Sequence, residues 1–530
     1  MKSSSSNINA TKVLVSSTNN QMTTQKKINR PSEDPVVAIR SLRLSTSLNR
    51  INQYYKKNIP DASSWLDVSE TALVNMKSII TDVRTQCVNG STGTLTADDR
   101  NTILSQLESL KDQLYAEGNA DYAGRTVFTG YRTDSTLTFT SDTDNTSYSI
   151  SQSFSASDIT DSRYYDGKVE VPSTAAEVLA NPISDIRETD YSRIRLGYDE
   201  LDSMTALSYS YGANDITYSA PANQTFTDAD GNTVSYQTST ATGADGTTQT
   251  LYMFDNEDDW SAYCAANPSG EDGKVVGDKD MAFIANTGEL VLGKEIASEM
   301  KSNKATINID YDKTGFNKGE LKPEYYYNCT DKTDAANPVD YTKYDADGKV
   351  VSYSIEYTVA ANQTLGVNIE ASDVFDSSIQ RDVTEMITAV NDAIAAHDKV
   401  TKLTAMKADS QYASAEYQEK LKTWIEAAEK EADYADDNLK KLYTTTLSNS
   451  DNYLEDITLG ITDLGCRKDQ LTLTKSRMAS QQESVSALQS QNDDLDLSQI
   501  VIDYTAAYTA YQASLTAAGK LGEISLLNYI

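Results

Sequence analysis

From Tyr55 onward the apolar positions advance by alternating steps of four and three: Tyr55, Ile59, Ala62, Leu66, Ser69, Leu73, Met76, Ile80, Val83 and Cys87. A repeat of that period predicts one helix with a continuous stripe along one face. Pro60 lies inside it, and its missing N–H predicts a kink or a segment end there. Asn89-Gly90 through Gly93 predicts the stop, and Thr96-Ala97-Asp98-Asp99 the next start. Ile103, Leu107, Leu110 and Leu114 then share a face up to Glu117-Gly118, so the two helices are expected as an antiparallel pair. The far end of the chain is of the same type. Val383, Ile387, Val390 and Ile394 repeat at helical spacing from about Asp373. A second stripe runs through Leu454, Ile457, Ile461, Leu464, Lys468, Leu471, Lys475, Met478, Gln482 and Val485. Its three polar members weaken the seam and can fix its register. After a break at Gln491–Asp494 the last stripe holds Leu497, Ile500, Tyr504, Tyr508, Tyr511, Leu515, Ala518 and Leu521.

The middle reads differently. Arg125–Tyr131 is β-branched and aromatic and ends in a turn. Asp-Gly then recurs at positions 166, 230, 245, 272 and 347, a hairpin signal. The stretches 228–236 and 345–353 are alike enough to suggest either a duplicated β unit or the same hairpin chemistry reached twice. Residues 1–30 are polar and only sparsely apolar, which predicts an arm that orders on meeting a partner. Ile28-Asn29-Arg30-Pro31-Ser32-Glu33-Asp34-Pro35 predicts a turn, with Ser32 as the cap of a helix starting near Pro35. The expected fold class is mainly α with a β-rich insertion: a discontinuous helical bundle built from both termini, plus an outer β domain. Its expected domains are an inner terminal one (1–45 and 491–530), a helical bundle (46–125 and 373–490) with an inserted helical segment at 405–440, and an outer β-rich domain (126–372).

Charge sharpens this division. The net charge of −32 is split as roughly +4 over 1–133, roughly −24 over 134–372 and roughly −12 over the rest. Acid concentrated on a displayed domain keeps a crowded surface soluble. It also excludes nucleic acid as a partner, which needs a basic stripe. No apolar run is long enough to span a membrane, and Met1–Ser17 has no apolar segment of the kind a cleaved signal peptide needs. Cys87, Cys264, Cys329 and Cys466 form no C-x-x-C pair and read as reduced, mostly buried thiols; Cys264 and Cys329 share the middle and could pair.

Catalytic chemistry finds little material. His397 is the sole histidine, so a triad or imidazole metal site would rest on it alone; a solvated helix-end residue is the simpler reading. The Asp-x-Asp-Gly turns lack the further ligands of an EF-hand loop. Glu33-Asp34, Asp98-Asp99 and Asp493-Asp494 sit at helix starts or breaks, where capping explains them. No enzyme activity, cofactor or metal is expected. The tyrosines of the last helix read as a subunit-packing face.

Three stretches resemble the FlgL type of flagellar hook-associated protein, the third of that series. Lys27-Ile28-Asn29-Arg30-Pro31-Ser32-Glu33-Asp34-Pro35 is similar to that family's turn, Thr126-Val127-Phe128-Thr129-Gly130-Tyr131 to the element leading outward, and Ala510-Tyr511-Gln512-Ala513-Ser514-Leu515 with Leu526–Ile530 to its C-terminal helix. The resemblance covers about 5–135 and 373–530. Flagellin, the filament subunit, is the nearest alternative, but Pro31 and Pro35 stand where it has small residues. The resemblance implies a flagellin-like fold and a secreted structural adaptor at the hook–filament junction, exported without a cleaved signal. It implies as partners the preceding hook-associated protein, flagellin, further copies in a ring, and an export chaperone. The residues expected to carry assembly are Ile28, Asn29, Arg30, Pro31 and Pro35 in the turn, and Tyr504, Tyr508, Tyr511, Leu515 and Leu527 at the C-terminus. A less favoured alternative is an adhesin displayed on a flagellin-like stem.

Overall fold

A computed structural model describes residues 2–92, 95–180, 186–227, 231–266 and 277–523. The chain begins with α1 (Lys2–Thr24), α2 (Pro35–Gln53), a single π turn (Tyr54–Asn58), α3 (Ile59–Gly90) and α4 (Ala97–Gly118). Strands follow: β1 (Asp121–Tyr122), β2 (Arg125–Thr126), β3 (Thr143–Ser155), β4 (Thr160–Asp166), then α5 (Ala175–Ala180) and β5 (Arg187–Arg195). Next come β6 (Ser203–Tyr211), β7 (Asn214–Thr217), β8 (Ala222–Thr227), β9 (Thr233–Thr242), β10 (Thr248–Phe254), α6 (Glu257–Ala266), β11 (Met281–Ile284) and β12 (Glu289–Leu292). The β-rich part closes with α7 (Lys294–Asn303), β13 (Thr306–Phe316), β14 (Asn328–Asp331), β15 (Val339–Tyr341), β16 (Glu356–Ala360), β17 (Gln363–Gly366) and the short α8 (Ala371–Val374). Helix then returns as α9 (Ser378–Ala408), α10 (Ala415–Asp493) and α11 (Leu497–Glu523).

The chain divides into two compact units. One comprises Met1–Ser64, Glu356–Val367 and Cys466–Ile530; the other comprises Trp65–Ile355 and Asn368–Gly465. In the second unit the heptad stripes do what their spacing predicts. Val83 and Cys87 of α3, Ile103 and Leu107 of α4, Val383, Met386 and Val390 of α9, and Leu439 and Tyr443 of α10 form one buried core. The α3–α4 pair is antiparallel: Asn75 donates to Glu117 at 3.1 Å near one end, and Cys87 and Ile103 share the core near the other. Thr96 and Asp99 form the capping box that opens α4. Gly460 of α10 leaves room for side chains of neighbouring elements. A Cβ on Gly460 would come within 2.5 Å of Val374 and 3.4 Å of Leu73.

The 405–440 segment is the turned end of the α9–α10 hairpin. Residues 409–414 make the reversal, and its walls bury Leu403, Tyr412, Leu421 and Trp424 against Val169, Val178 and Ile186. Trp424 donates its indole N–H to the Val178 carbonyl at 3.3 Å, and Glu431 accepts from the Val169 N–H at 2.9 Å. The segment therefore carries part of the core under the β-rich region.

The strands form a seven-stranded sheet of order β4-β5-β12-β11-β10-β9-β8 and a six-stranded sheet of order β15-β14-β3-β13-β6-β7. β13 shows the alternation of a half-buried strand: Ile307, Ile309, Tyr311 and Lys313 point inward. Lys313 is buried with its ammonium donating to the Asp199 carbonyl at 2.7 Å and facing Glu320 at 3.6 Å. β9 and β10 form a hairpin around Asp245-Gly246, where Gly246 takes φ +79. The two similar stretches differ in outcome. One leads into β9, whereas the other makes only an isolated bridge between Tyr344 and Val350. Residues 228–230 and the turn at Asp272-Gly273 lie outside the described residues.

An ionic network ties the seven-stranded sheet to the helices. Arg193 and Arg195, two apart on β5, point to one face, and Asp382 and Glu385, three apart on α9, share another. Arg193 and Arg195 both reach Glu385, at 2.5 and 2.7 Å. Arg193 also pairs with Glu289, and Arg195 with Asp382. Asp382 further accepts from Tyr453 at 2.8 Å and Asn449 at 3.0 Å. Burial pushes the Glu385 carboxyl up, but the two guanidinium groups overcome it and hold it at about 2.

Candidate assembly interface

In the first unit the two chain ends meet. α1 packs along α11. Ile8, Thr11, Val15, Thr18 and Met22 of α1, at steps of three, four, three and four, are among its less exposed positions, with Gln21 beside them. Ile500, Tyr504, Ala507, Tyr511 and Ser514 repeat the pattern on α11. The polar arm expected at residues 1–30 is thus a helix up to Thr24. Alone it buries too little to be stable, and its partner helix supplies the missing face.

The turn after α1 is fastened to the break before α11. Gln25 adopts φ +58 and so reverses the chain in the left-handed region. Its carbonyl accepts from the Leu495 N–H at 3.1 Å, and the Lys27 N–H donates to the Asp493 carbonyl at 2.8 Å. The Lys26 ammonium meets Asp494 at 2.5 Å. That hydrogen bond, together with one from Ser490, holds the Asp494 carboxyl below the usual carboxylate range. Ser41 and Asn492 continue the fastening to Asp493 and to the Val37 carbonyl, at 2.9 and 3.1 Å.

α2 starts with Asp34 as its cap rather than Ser32. The Asp34 carboxylate accepts from the Val36 and Val37 N–H groups at 2.9 and 3.1 Å, and Pro35 takes the first helical position. The disturbance expected from Pro60 takes the form of the π turn at Tyr54–Asn58. There the helix widens, and the Ile59 N–H reaches back to the Tyr54 carbonyl. The β16–β17 hairpin docks beside it: Asn58 donates to the Thr358 carbonyl at 2.7 Å, and Tyr357 bonds Asp61.

The expected assembly residues fall into two sets. In the turn, Asn29, Arg30, Pro31 and Pro35 are exposed and Ile28 is half-buried; Glu33 accepts from the Asn29 N–H at 2.7 Å. On α11, Tyr504 and Tyr511 lie on the seam with α1, whereas Tyr508 and Leu515 are each 44% exposed. Tyr504 and Tyr508 stack with centroids 6.0 Å apart. Leu527 lies outside the described residues. Exposed apolar residues that the stripes did not single out extend this surface: Val13 and Leu14 on α1, Val36, Ile39 and Leu42 on α2, and Val501 and Ile502 on α11. Leu42 is 67% exposed and Ile502 62%. Each would gain about 1.5–3 kcal/mol if fully buried. Their signal was present in the sequence as apolar positions off the main stripe.

His397 lies within α9 rather than at its end. Its Nε2 is 2.9 Å from Asp436, which also binds Arg100 at 2.8 Å, so it belongs to a surface ion cluster. All four cysteines are free, with only Cys466 exposed, and burial pushes the Cys87 thiol up to about 12. Among the described residues no group of His, Cys, Asp and Glu is placed to hold a metal, and no helix is long and apolar enough to cross a membrane.

By fold the chain falls in the class of helical proteins whose two termini pair and whose middle is β-rich. Within that class, residues 2–133 match the bacterial flagellin N-terminal helical region. The chain is 32% identical over 115 residues to flagellar hook-associated protein 3 of Escherichia coli (strain K12), and 31% over 115 residues to that of Salmonella typhimurium. Each match covers 22% of this chain and 36% of the relative, so the chain spans about a third of the length of these curated relatives. A crystal structure of the flagellar junction protein FlgL from Legionella pneumophila aligns with 86% of this chain and 99% of its own, at 12% identity and a TM-score of 0.27. So loose an overlay adds nothing to the fold described above.

Proposed function

We propose that this chain is a structural, non-enzymatic subunit of the bacterial flagellum, an adaptor joining hook to filament. The observation that carries the reading is the paired terminal helices, fastened at Lys26–Asp494 and still apolar on their outward faces. Exposed apolar faces on a helical pair are stable in bulk only when neighbours cover them. Head-to-tail contacts between such pairs generate a tubular layer. The similarity to hook-associated protein 3 supports the position of that layer at the junction.

In this reading Ile28, Asn29, Arg30, Pro31 and Pro35 shape the turn between terminal and bundle helices. Tyr508 and Leu515 face a neighbouring subunit, while Tyr504 and Tyr511 hold the subunit's own pair. Leu527 contributes to the same end. This reading divides the chain into three parts: an inner terminal domain, a bundle drawn from both chain halves in the flagellin manner, and an outer β-rich domain. Partners are the preceding hook-associated protein, flagellin, further copies of the chain and an export chaperone; export proceeds without a cleaved signal.

The flagellin reading stays in view because the matched region carries flagellin's name. Seeded polymerisation of the purified chain separates the two. Long filaments under negative stain would make it a filament subunit. Soluble monomers that restore filament attachment to cells lacking their own third hook-associated protein would support the adaptor. Soluble monomers that fail to restore it would refute the adaptor.

A further inference from the structure

The second unit holds a groove that the assembly reading does not use. Its floor is one face of the seven-stranded sheet. Strand register puts Phe283, Met253, Gln237 and Asn223 side by side across β11, β10, β9 and β8. A second row sets Ser235 opposite Thr225. Asp202 and Met204, at the start of β6, close the other side. The space is about 440 Å³, inside the usual range of roughly 300–1,000 Å³ for small-ligand sites.

The lining is uneven in a useful way. Met204, Met253 and Phe283 give a buried apolar end. The other end is built from side-chain amides and hydroxyls. Gln237 Nε2 donates to Asn223 Oδ1 at 2.9 Å, which fixes both amide planes. That bond leaves the Gln237 carbonyl oxygen as an acceptor and the Asn223 amide N–H as a donor. A pair of adjacent hydroxyls, each both donor and acceptor, matches such a couple, and the Asp202 carboxylate can accept from a third. Among the described residues no Lys, Arg or His lines the groove, while Asp202 and Asp255 do. A phosphate, sulfate or carboxylate would therefore meet negative charge with no counter-charge.

We propose that this groove binds a neutral saccharide, with Gln237 and Asn223 reading adjacent ring hydroxyls and the methionine end covering the apolar face of the sugar. The proposal is independent of the flagellar reading and survives its failure. The test is saturation-transfer NMR on the 530-residue chain with maltotriose, cellotriose and triacetylchitotriose, against 3′-sialyllactose and spermidine as charged probes. At least one neutral trisaccharide is expected to bind, and Gln237→Leu is expected to weaken it at least about tenfold, the effect of losing a well-placed hydrogen bond. Should Gln237→Leu fail to fold, Asn223→Ala on the exposed edge strand carries the same expectation. Three results would overturn the proposal: no neutral saccharide binds, binding is indifferent to both variants, or spermidine or sialyllactose is the ligand that the variants lose.

Discussion

At the scale of single residues, the local chemistry was readable wherever it involved neighbours in sequence. Thr96 and Asp99 were a legible capping box. At α2 the sequence pointed to Ser32 as the cap, whereas Asp34 takes that place; Pro35 in the first helical position decides for the residue just before it. Asp34→Ala should destabilise the start of α2 by about 1 kcal/mol. Amide exchange at Val36 and Val37 would show it as faster opening, and unchanged exchange would remove Asp34 from that role. The cysteines allow a second test. With three thiols buried and Cys466 exposed, a thiol reagent should titrate one group quickly in the native chain and four in denaturant. Fewer than four in denaturant would mean a disulfide.

Among elements, periodicity showed the helices and the antiparallel α3–α4 pair, but not which residues complete each buried line. The stripe through Ile457, Leu464, Leu471 and Met478 was correct in phase, but Gly460 and Thr474 rather than Ile461 and Lys475 complete the buried line. The polar positions expected inside the seam are thus displaced to its edge. Strand order lay beyond reading, because pairs such as β3 with β13 and β5 with β12 join segments far apart in sequence. The guanidinium–carboxylate network was hidden for the same reason. On α11 the alternation of inward and outward tyrosines separates two roles that spacing alone merged. Tyr511→Asp should loosen the α1–α11 pair and lower helical content by circular dichroism. Tyr508→Asp should leave the monomer's spectrum and melting unchanged yet weaken incorporation at the junction. Equal effects of both variants on the monomer would defeat this division.

For the molecule as a whole, acid response follows from Glu385. The Arg193 and Arg195 guanidinium groups hold its carboxyl down to about 2 in the folded chain, against 4.5 unpaired. A depressed folded pKa stabilises fully above the unpaired value, and that stability fades as pH falls from about 4.5 toward 2. The amount at stake is on the order of 3 kcal/mol. Melting temperature should therefore drop across that window. Glu385→Gln should flatten the drop and lower stability already at neutral pH, since Arg193 and Arg195 would keep their burial but lose a charge partner. A variant with an unchanged acid profile would show that other carboxylates govern it.

The fastening of Lys26 to Asp494 spans 468 positions of chain. Closing so long a loop is slow, and it cannot begin until nearly the whole polypeptide is available. A chain emerging from its N-terminus would therefore have both units' earlier segments in hand while α1 still waited for α11. The terminal pair would be the last piece to form, and any process that withholds the final thirty or so residues would keep the first twenty-four unpaired.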